Sequence, residues 1–526
     1  MHGFHVYDTT MRDGAQQEGI NLSVGDKLTI ARYLDELGVT HIEGGWPGAN
    51  PTDTEFFARA RSELDLRTAT LTAFGATRRA GTEAADDPQV QALLDSGAAV
   101  VTLVAKMHPG HVERALRTTR EENLAMIRDT VAHLRAQGRT VMVDGEHFFD
   151  GYALDRDYAL ACVTAAHEAG ADVVAVCDTN GGMLPGQVRD VVTDVIATTG
   201  ARLGIHCHND TGCAVANTMA AVEAGADHVQ GTVNAYGERT GNADLITVVA
   251  NLQLKLGMDL VEPHRLQDAT RLAHAVSEVT NFPHFSRQPY VGSGAFAHKA
   301  GLHASAIKVD PDLYQHIEPK DVGNDMRMLV SDMAGRATVE LKSREFGVDL
   351  AGDDAALTRV LATVKEREQQ GYTFDAADAS FELLLRRELD EAAPDYAQIE
   401  SWRVMIDARG GDDALSEATV KALAGGQRLV ATGEGNGPVH ALDEGLRQAL
   451  AVVYPEVGRI ELIDYKVRIL DAAHGTDATT RVLIEHSDDQ TSWTTVGVAP
   501  NIVEASWEAL LDGITYGLMR AGVPVR

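Results

Sequence analysis

The stretch AHEAGADVVAVC (166–177) decides the fold. It reads as a helix end, a glycine suited to the left-handed position that closes a helix, a short link, and a run of β-branched residues fit for a buried strand. The same figure returns in LDELGVTHIEGG (34–45), LLDSGAAVVTLV (93–104) and AVEAGADHVQGT (221–232). Each copy is the helix-to-strand half of a βα unit. Further strands are predicted between them in FHVYDTT (4–10), RTATLTAF (67–74), TVMVDGEHFF (140–149) and RLGIHCHND (202–210). Eight strands result, starting near residues 4, 40, 67, 98, 140, 172, 202 and 228. Helical patterns such as SVGDKLTIARYLDEL and TREENLAMIRDTVAHLRAQ lie between them. Eight alternations of strand and helix argue for a parallel (β/α)8 barrel, a TIM barrel. The competing architecture is a doubly wound open sheet. No GxGxxG turn follows the first strand, which disfavours it.

A barrel of this kind gathers its chemistry at the C-terminal ends of the strands, and polar residues do cluster there. Strand 1 ends in Asp8, Thr9, Thr10, Arg12 and Asp13; strand 2 in Glu43; strand 5 in Asp144, Glu146 and His147. Strand 6 ends in Asp178, Thr179 and Asn180, and strand 8 leads into NAYGERTGN with Asn234, Glu238, Arg239 and Asn242. Strand 7 ends in GIHCHNDTG (204–212). Side chains alternate along a strand, so His206 and His208 share a face and Cys207 points away. Two imidazoles with one or two oxygens suit a divalent ion such as Mn²⁺, Zn²⁺ or Co²⁺, with Mg²⁺ also open. Asp13 is the candidate carboxylate ligand and Asn242 a further oxygen. Arg12, next to Asp13, is placed to steady an oxyanion on a polarised carbonyl; the plainer alternative is an ion pair. Glu146 is a candidate acid or base, with a surface carboxylate as its alternative.

The net charge of −31 over 526 residues excludes nucleic acid as an expected partner, since phosphate binding wants a basic surface. Hydrophobic content of 44% and charged content of 23% are ordinary for a globular protein. Four cysteines, none in a CxxC pair, fit a reducing compartment. The opening MHGFHVYDTTMRDG has no signal-peptide pattern, and no apolar run reaches the ~18 residues of a membrane span. A cytoplasmic location without membrane contact is the expectation.

YDTTMRDGAQ (7–16), GIHCHNDTGCAVAN (204–217) and GERTGN (237–242) resemble the signatures of the acyl-CoA-using, Claisen-condensing family of metal-dependent barrels. That family holds the isopropylmalate, citramalate and homocitrate synthases, with hydroxymethylglutaryl-CoA lyase more distant. IEGGWPGANPTDTEFF (42–57) and DGEHFFDGY (144–152) are more similar to one branch of citramalate synthases than to isopropylmalate synthases. The resemblance implies Asp13, His206, His208 and Asn242 around the metal, Mn²⁺ first among the candidates. It implies Arg12 at the keto-acid oxygen, Thr179 at its carboxylate, Asp144 in the substrate pocket and Glu146 as a catalytic residue. HKAGLHASAIKVDPDLYQHIEP (298–319) resembles the segment that closes over the site, with His303 as base and Tyr314 as its companion. His298, in the same helix-like run, competes for that role. The implied reaction is condensation of acetyl-CoA with pyruvate to (R)-citramalate and CoA, on a threonine-independent route to isoleucine. The alternatives are 2-isopropylmalate synthesis from 2-ketoisovalerate and a non-catalytic amino-acid sensor. Asp144 stands where some citramalate synthases carry a larger side chain, so their pocket arguments do not transfer directly.

The predicted division is a barrel over 1–280, helical linker and lid regions over 281–394, and a C-terminal α+β domain over 395–526. ATVELKSREFGV and AALTRVLATVKEREQQ read as helices of the middle region. Beyond about Ile399 the pattern turns to strands: ESWRVMIDAR, QRLVATGEG, IELIDYKVRILD, TTRVLIEHSD and SWTTVGVAP. GEGNGPVHALDEGLRQAL and GVAPNIVEASWEALLDGI echo each other, an internal duplication. It resembles the regulatory domain with which these synthases bind an end-product amino acid between paired domains. A homodimer with isoleucine as effector is implied, and a purely structural dimerisation role is the alternative. GEGNG lacks the Lys-Ser/Thr ending of a phosphate loop.

Overall fold

Gly38, Gly97, Gly170 and Gly225, the glycines of the repeated figure, all take positive φ, at 91°, 74°, 98° and 113°. A side chain disfavours that backbone region and glycine does not. Each closes a helix and turns the chain into a strand. The computed structural model describes residues 3–350, 352–389, 395–407, 414–470 and 478–526. The ends of two expected strands, 408–409 and 471, lie outside the described residues.

Eight parallel strands close into a barrel in chain order: β1 (His5–Asp8), β2 (His41–Gly45), β3 (Thr70–Ala76), β4 (Val100–Lys106), β5 (Thr140–Glu146), β6 (Val173–Asp178), β7 (Leu203–Cys207) and β8 (His228–Gly231). The closing pair is β1 with β8, where His5 aligns with His228 and Tyr7 with Gln230. The TIM barrel expected from the repeats is therefore present. Expected strand 5 ends three residues early: His147, with φ at 56°, turns the chain, and a helix starts at Phe148.

Alternation sorts the side chains. Val6, Ile42, Ala73, Val101, Leu103, Val141, Val143, Val174, Val176, Ile205 and Val229 point outward into one apolar core with the surrounding helices. The inward positions are different in kind. Tyr7, Val100, Met142 and Val173 form a small apolar plug. Beside and above it the inward positions carry Glu43, Thr102, Asp144, His206 and Gln230, all buried. The outer face thus drives folding, about 25 cal/mol for each Å² of apolar surface removed from water. The inner face is free for chemistry.

Contacts group Met1–Phe296 with Ile317–Asp325 as one unit, and Ala297–His316 with Met326–Arg526 as a second. In the second unit, helices Arg336–Glu345, Asp354–Gln369 and Asp378–Glu388 precede two antiparallel sheets. Strands Gln398–Asp407, Leu415–Ala424 and Gln427–Gly435 lead to helix Pro438–Ala451. Strands Glu461–Ile469, Thr480–Ser487 and Ser492–Ala499 lead to helix Ile502–Arg520. The duplication is real: strand, strand, strand, helix, twice.

Leu415–Ala424 is a strand that the sequence pattern did not suggest. Its LSEATVKALA is built largely of good helix formers, yet Ser416, Ala418, Val420, Ala422 and Ala424 alternate into the core. Small residues are needed there because helix Pro438–Ala451 presses close: a Cβ on Gly445 would lie 3.3 Å from the Ala418 carbonyl oxygen. Val496 shares a core with Phe381 and Leu385, and Tyr516 Oη donates to Glu382 at 2.9 Å. Among the described residues no helix is long and apolar enough to cross a membrane.

Candidate active site

Arg12 and Asp13 stand on the turn after β1. Its backbone is tied by Arg12 N–H and Gly14 N–H donating to the Thr9 carbonyl at 3.2 and 3.0 Å. The turn aims Asp13 across the barrel mouth at β7. Its Oδ2 lies 3.1 Å from His206 Nε2 and 3.5 Å from His208 Nε2. All three side chains are buried, and their ligating atoms lie within 4.8 Å of one another. Cys207 points the other way, into the outer core. Burial alone would raise the Asp13 pKa; Arg12 and both histidines outweigh it and hold the carboxyl well below its usual range.

Asn242 joins this group through the backbone. It bridges to His208, while Asn209 N–H donates to the Gly241 carbonyl at 2.9 Å. Gly241 is required: with φ at 89°, a Cβ there would fall 1.9 Å from the Ala235 carbonyl oxygen. The Asn242 amide nitrogen donates to the Tyr236 carbonyl at 3.0 Å, which leaves its Oδ1 buried and without a partner. A buried acceptor left unpaired is costly, unless a cation takes it.

The histidine tautomer is set by a relay. Gln230 Nε2 donates to Asp144 Oδ1 at 2.7 Å, so its Oε1 faces His206 Nδ1, also at 2.7 Å. Nδ1 then carries a hydrogen, which leaves Nε2, beside Asp13, as the nitrogen available to a metal. That is the form a metal ligand needs, with the outer partner fixing the ring. The carboxylate and the two imidazoles fit a divalent metal site.

Arg12 is held from below. Its Nε donates to Glu43 Oε2 at 2.6 Å, and its guanidinium lies 3.9 Å above the centre of the Phe74 ring. Glu43 also accepts from Tyr7 Oη and Thr9 Oγ1, each at 2.5 Å. Asp144 is wholly buried; burial and the nearby Glu43 charge push its pKa up to about 7. Glu146, at the end of β5, accepts from the Lys106 ammonium at the end of β4. Thr179 Oγ1 accepts from His147 N–H at 2.8 Å, which leaves its own hydrogen free to donate. Arg12, Asp13, Asp144, Glu146, Thr179, His206 and His208 line one cavity of about 610 Å³, a normal size for a small-molecule site.

His303 and Tyr314 belong to the second unit. Their rings stack there with centroids 4.2 Å apart. His298 lies not in the helix Gly301–Ile307 but in a two-residue strand, its ring 6.2 Å from that of His303. Three supports of the cavity were not singled out for a role by the sequence: Glu43 as the anchor of Arg12, Gln230 as the relay, and Lys106 on Glu146. The available signal was a polar residue at an inward position of an apolar run.

The HMGL-like family profile matches residues 4–276. The chain belongs to the HMGL-like family. A homocitrate synthase post-HMGL domain-like profile follows over 290–371, and the LeuA allosteric (dimerisation) domain over 375–518. Within this family the chain is 64% identical to the (R)-citramalate synthase of Streptomyces coelicolor, over 99% of this chain and 97% of that one. It is 49% identical to the (R)-citramalate synthase of Synechocystis sp., over 98% and 96%. Against that of Aquifex aeolicus the figure is 47%, over 98% of both. The HMGL-like match spans the barrel and every cavity residue described above.

Proposed function

We infer that the chain condenses acetyl-CoA with pyruvate to give (R)-citramalate and CoA. The observation that carries this is the 64% identity to a citramalate synthase along nearly the whole of both chains. The barrel mouth supplies matching chemistry.

Asp13, His206, His208 and Asn242 would hold a divalent ion, with Mn²⁺ proposed. Bound there, it supplies Lewis-acid polarisation of the keto carbonyl. Arg12, oriented by Glu43, donates to the keto-acid oxygen as it gains negative charge. Thr179 donates its hydroxyl hydrogen to the substrate carboxylate. Asp144 bounds the pocket around the methyl group. Glu146 is assigned acid–base work, and His303, with Tyr314 beside it, the removal of the methyl proton. Hydrolysis of the thioester then releases CoA and makes the condensation irreversible.

Residues 1–280 are proposed as the catalytic part, 281–394 as linker and lid, and 395–526 as the regulatory part. A homodimer with isoleucine as inhibitor is proposed on the LeuA allosteric (dimerisation) match. Equal inhibition by leucine and isoleucine would remove that assignment. Four free cysteines suit the reducing cytoplasm.

The test is CoA release from acetyl-CoA with Mn²⁺, comparing pyruvate with 2-ketoisovalerate at equal concentration. A preference for pyruvate of about tenfold or more, ~1.4 kcal/mol in the barrier, is expected. Preference for 2-ketoisovalerate would transfer the same site to 2-isopropylmalate synthesis.

A further inference from the structure

The condensation puts negative charge on two oxygens, and cationic side chains line the cavity. A base takes a methyl proton from acetyl-CoA: the C–H pair becomes a C=C bond, and the thioester C=O pair moves onto oxygen as an enolate. The C=C pair of the enolate then forms the bond to the keto carbon, the pair on the enolate oxygen restores the thioester C=O, and the keto C=O pair moves onto its oxygen, which takes back a proton from the protonated base to give the hydroxyl. Arg12 is committed to the second oxygen. The first gains from a donor of its own, because fixed hydrogen-bond donors aimed at developing charge are a large source of transition-state stabilisation.

Four cationic side chains line the cavity: Arg12, Arg78, Arg79 and Lys106. Arg78 is engaged by Glu122 at 2.8 Å and Asp129 at 2.6 Å. Arg79 is exposed. Lys106 is different. It ends β4 directly opposite Glu146 in the β4–β5 register. Its backbone is fixed by Asn123 Nδ2 donating to its carbonyl at 2.9 Å, and by Met107 N–H donating to the Glu146 carbonyl at 3.2 Å. Its ammonium has three hydrogens. One meets Glu146; two remain for the cavity, from which the side chain is 74% shielded against solvent, its relative exposure being 26%.

We propose that Lys106 is a further catalytic residue, an oxyanion donor to the thioester oxygen of acetyl-CoA, held in place by Glu146. The proposal rests on the condensation reading above. Glu146, besides the acid–base work assigned to it, fixes the ammonium, and the ammonium meets the charge that develops when the methyl proton leaves.

The parent chain is first assayed with pyruvate, acetyl-CoA and Mn²⁺; no turnover there removes the functional reading and this proposal with it. Lys106→Met is then compared with the parent for turnover and for affinity toward CoA. It is also compared for affinity toward a CoA thioether ending in a carboxymethyl group, whose carboxylate places negative charge one carbon beyond the position of the enolate oxygen. The expected result is a fall in kcat of ~10²-fold. Affinity for the carboxymethyl analogue falls at least tenfold, while affinity for CoA stays within threefold. If Lys106→Met does not fold, Lys106→Gln is read the same way. A kcat within threefold of the parent overturns the proposal. So does a loss of affinity shared equally by CoA and the analogue, since a residue that only shapes the wall would not select for the charge.

Discussion

Glu43→Gln isolates the anchor of Arg12. The change is nearly isosteric, so no cavity opens, and the side chain is fully buried. The carboxylate accepts from Tyr7 Oη and Thr9 Oγ1 at 2.5 Å and from Arg12 Nε at 2.6 Å. A glutamine offers one acceptor oxygen and two hydrogens. With its oxygen at the Oε2 position the amide still accepts from Thr9 Oγ1 and Arg12 Nε, and Tyr7 Oη rotates to accept from the amide nitrogen; what is removed is the negative charge that Arg12 faces. The loss therefore falls on Arg12. A hydrogen bond to a charged group contributes about 1.5–3 kcal/mol. Phe74 still supports the guanidinium from one face at 3.9 Å, and Asp13 still lies 3.5 Å from its Nη1, so the whole orientation is not lost. Taking about 2–3 kcal/mol as the part felt in the transition state, kcat/KM for the keto acid falls about 30- to 150-fold. The assay is steady-state CoA release with pyruvate varied and acetyl-CoA saturating. Metal affinity, read by calorimetry, falls less than kcat/KM, because Glu43 touches none of Asp13, His206, His208 and Asn242 and acts on the ion through its charge alone. A variant with full metal binding and kcat/KM within threefold of the parent would refute the claim that Glu43 orients Arg12 for the reaction.

Gln230→Leu removes the relay from Asp144 to His206, freeing the imidazole to exchange tautomers; Mn²⁺ affinity should fall 10- to 100-fold, and an unchanged calorimetric titration would sink the relay. Asp8→Asn addresses pH. Burial pushes the Asp8 carboxyl up to about 7 from 3.8, so the folded chain binds a proton that the unfolded chain releases, and stability falls as pH rises between about 4 and about 7. Asparagine keeps an acceptor for Thr10 and should flatten that part of the urea-midpoint profile; a profile that is flat already in the parent contradicts the assignment.

The fold was legible because its signal is repeated. One glycine closing a helix before an apolar run means little, and four at matching places mean a barrel. The histidine pair was legible for a related reason: period-two alternation places His206 and His208 on one face whatever the neighbours are. The supports were harder. Gln230 is 24 residues from His206 and 86 from Asp144, and only barrel closure makes them neighbours. Glu43 showed itself as a polar strand end, but its partner could not be named before β1 and β2 were paired. Leu415–Ala424 was hidden by composition, since packing against a helix selected small residues that also favour helices. His298 was read into a helix because HKAGLH carries no breaker beyond a glycine, and the backbone turns there all the same.

The charge balance of the barrel mouth ties these observations together. Three carboxyl groups, Glu43, Asp13 and Asp144, are buried around one guanidinium, that of Arg12. Burying unpaired charge is expensive, and the chain responds in two ways. The Asp144 pKa rises to about 7, where the group can hold a proton; Asp13 is drawn toward the imidazoles, and His206 is pushed above its ordinary value because Asp13 outweighs the effect of burial. Each response adds positive charge where the fold left a deficit of about two. A divalent cation held by Asp13 and both Nε2 atoms would supply the rest. The residues that would hold the ion and those that only surround it thus make the same demand. That demand is a physical reason, independent of any likeness to other proteins, for positive charge at this site.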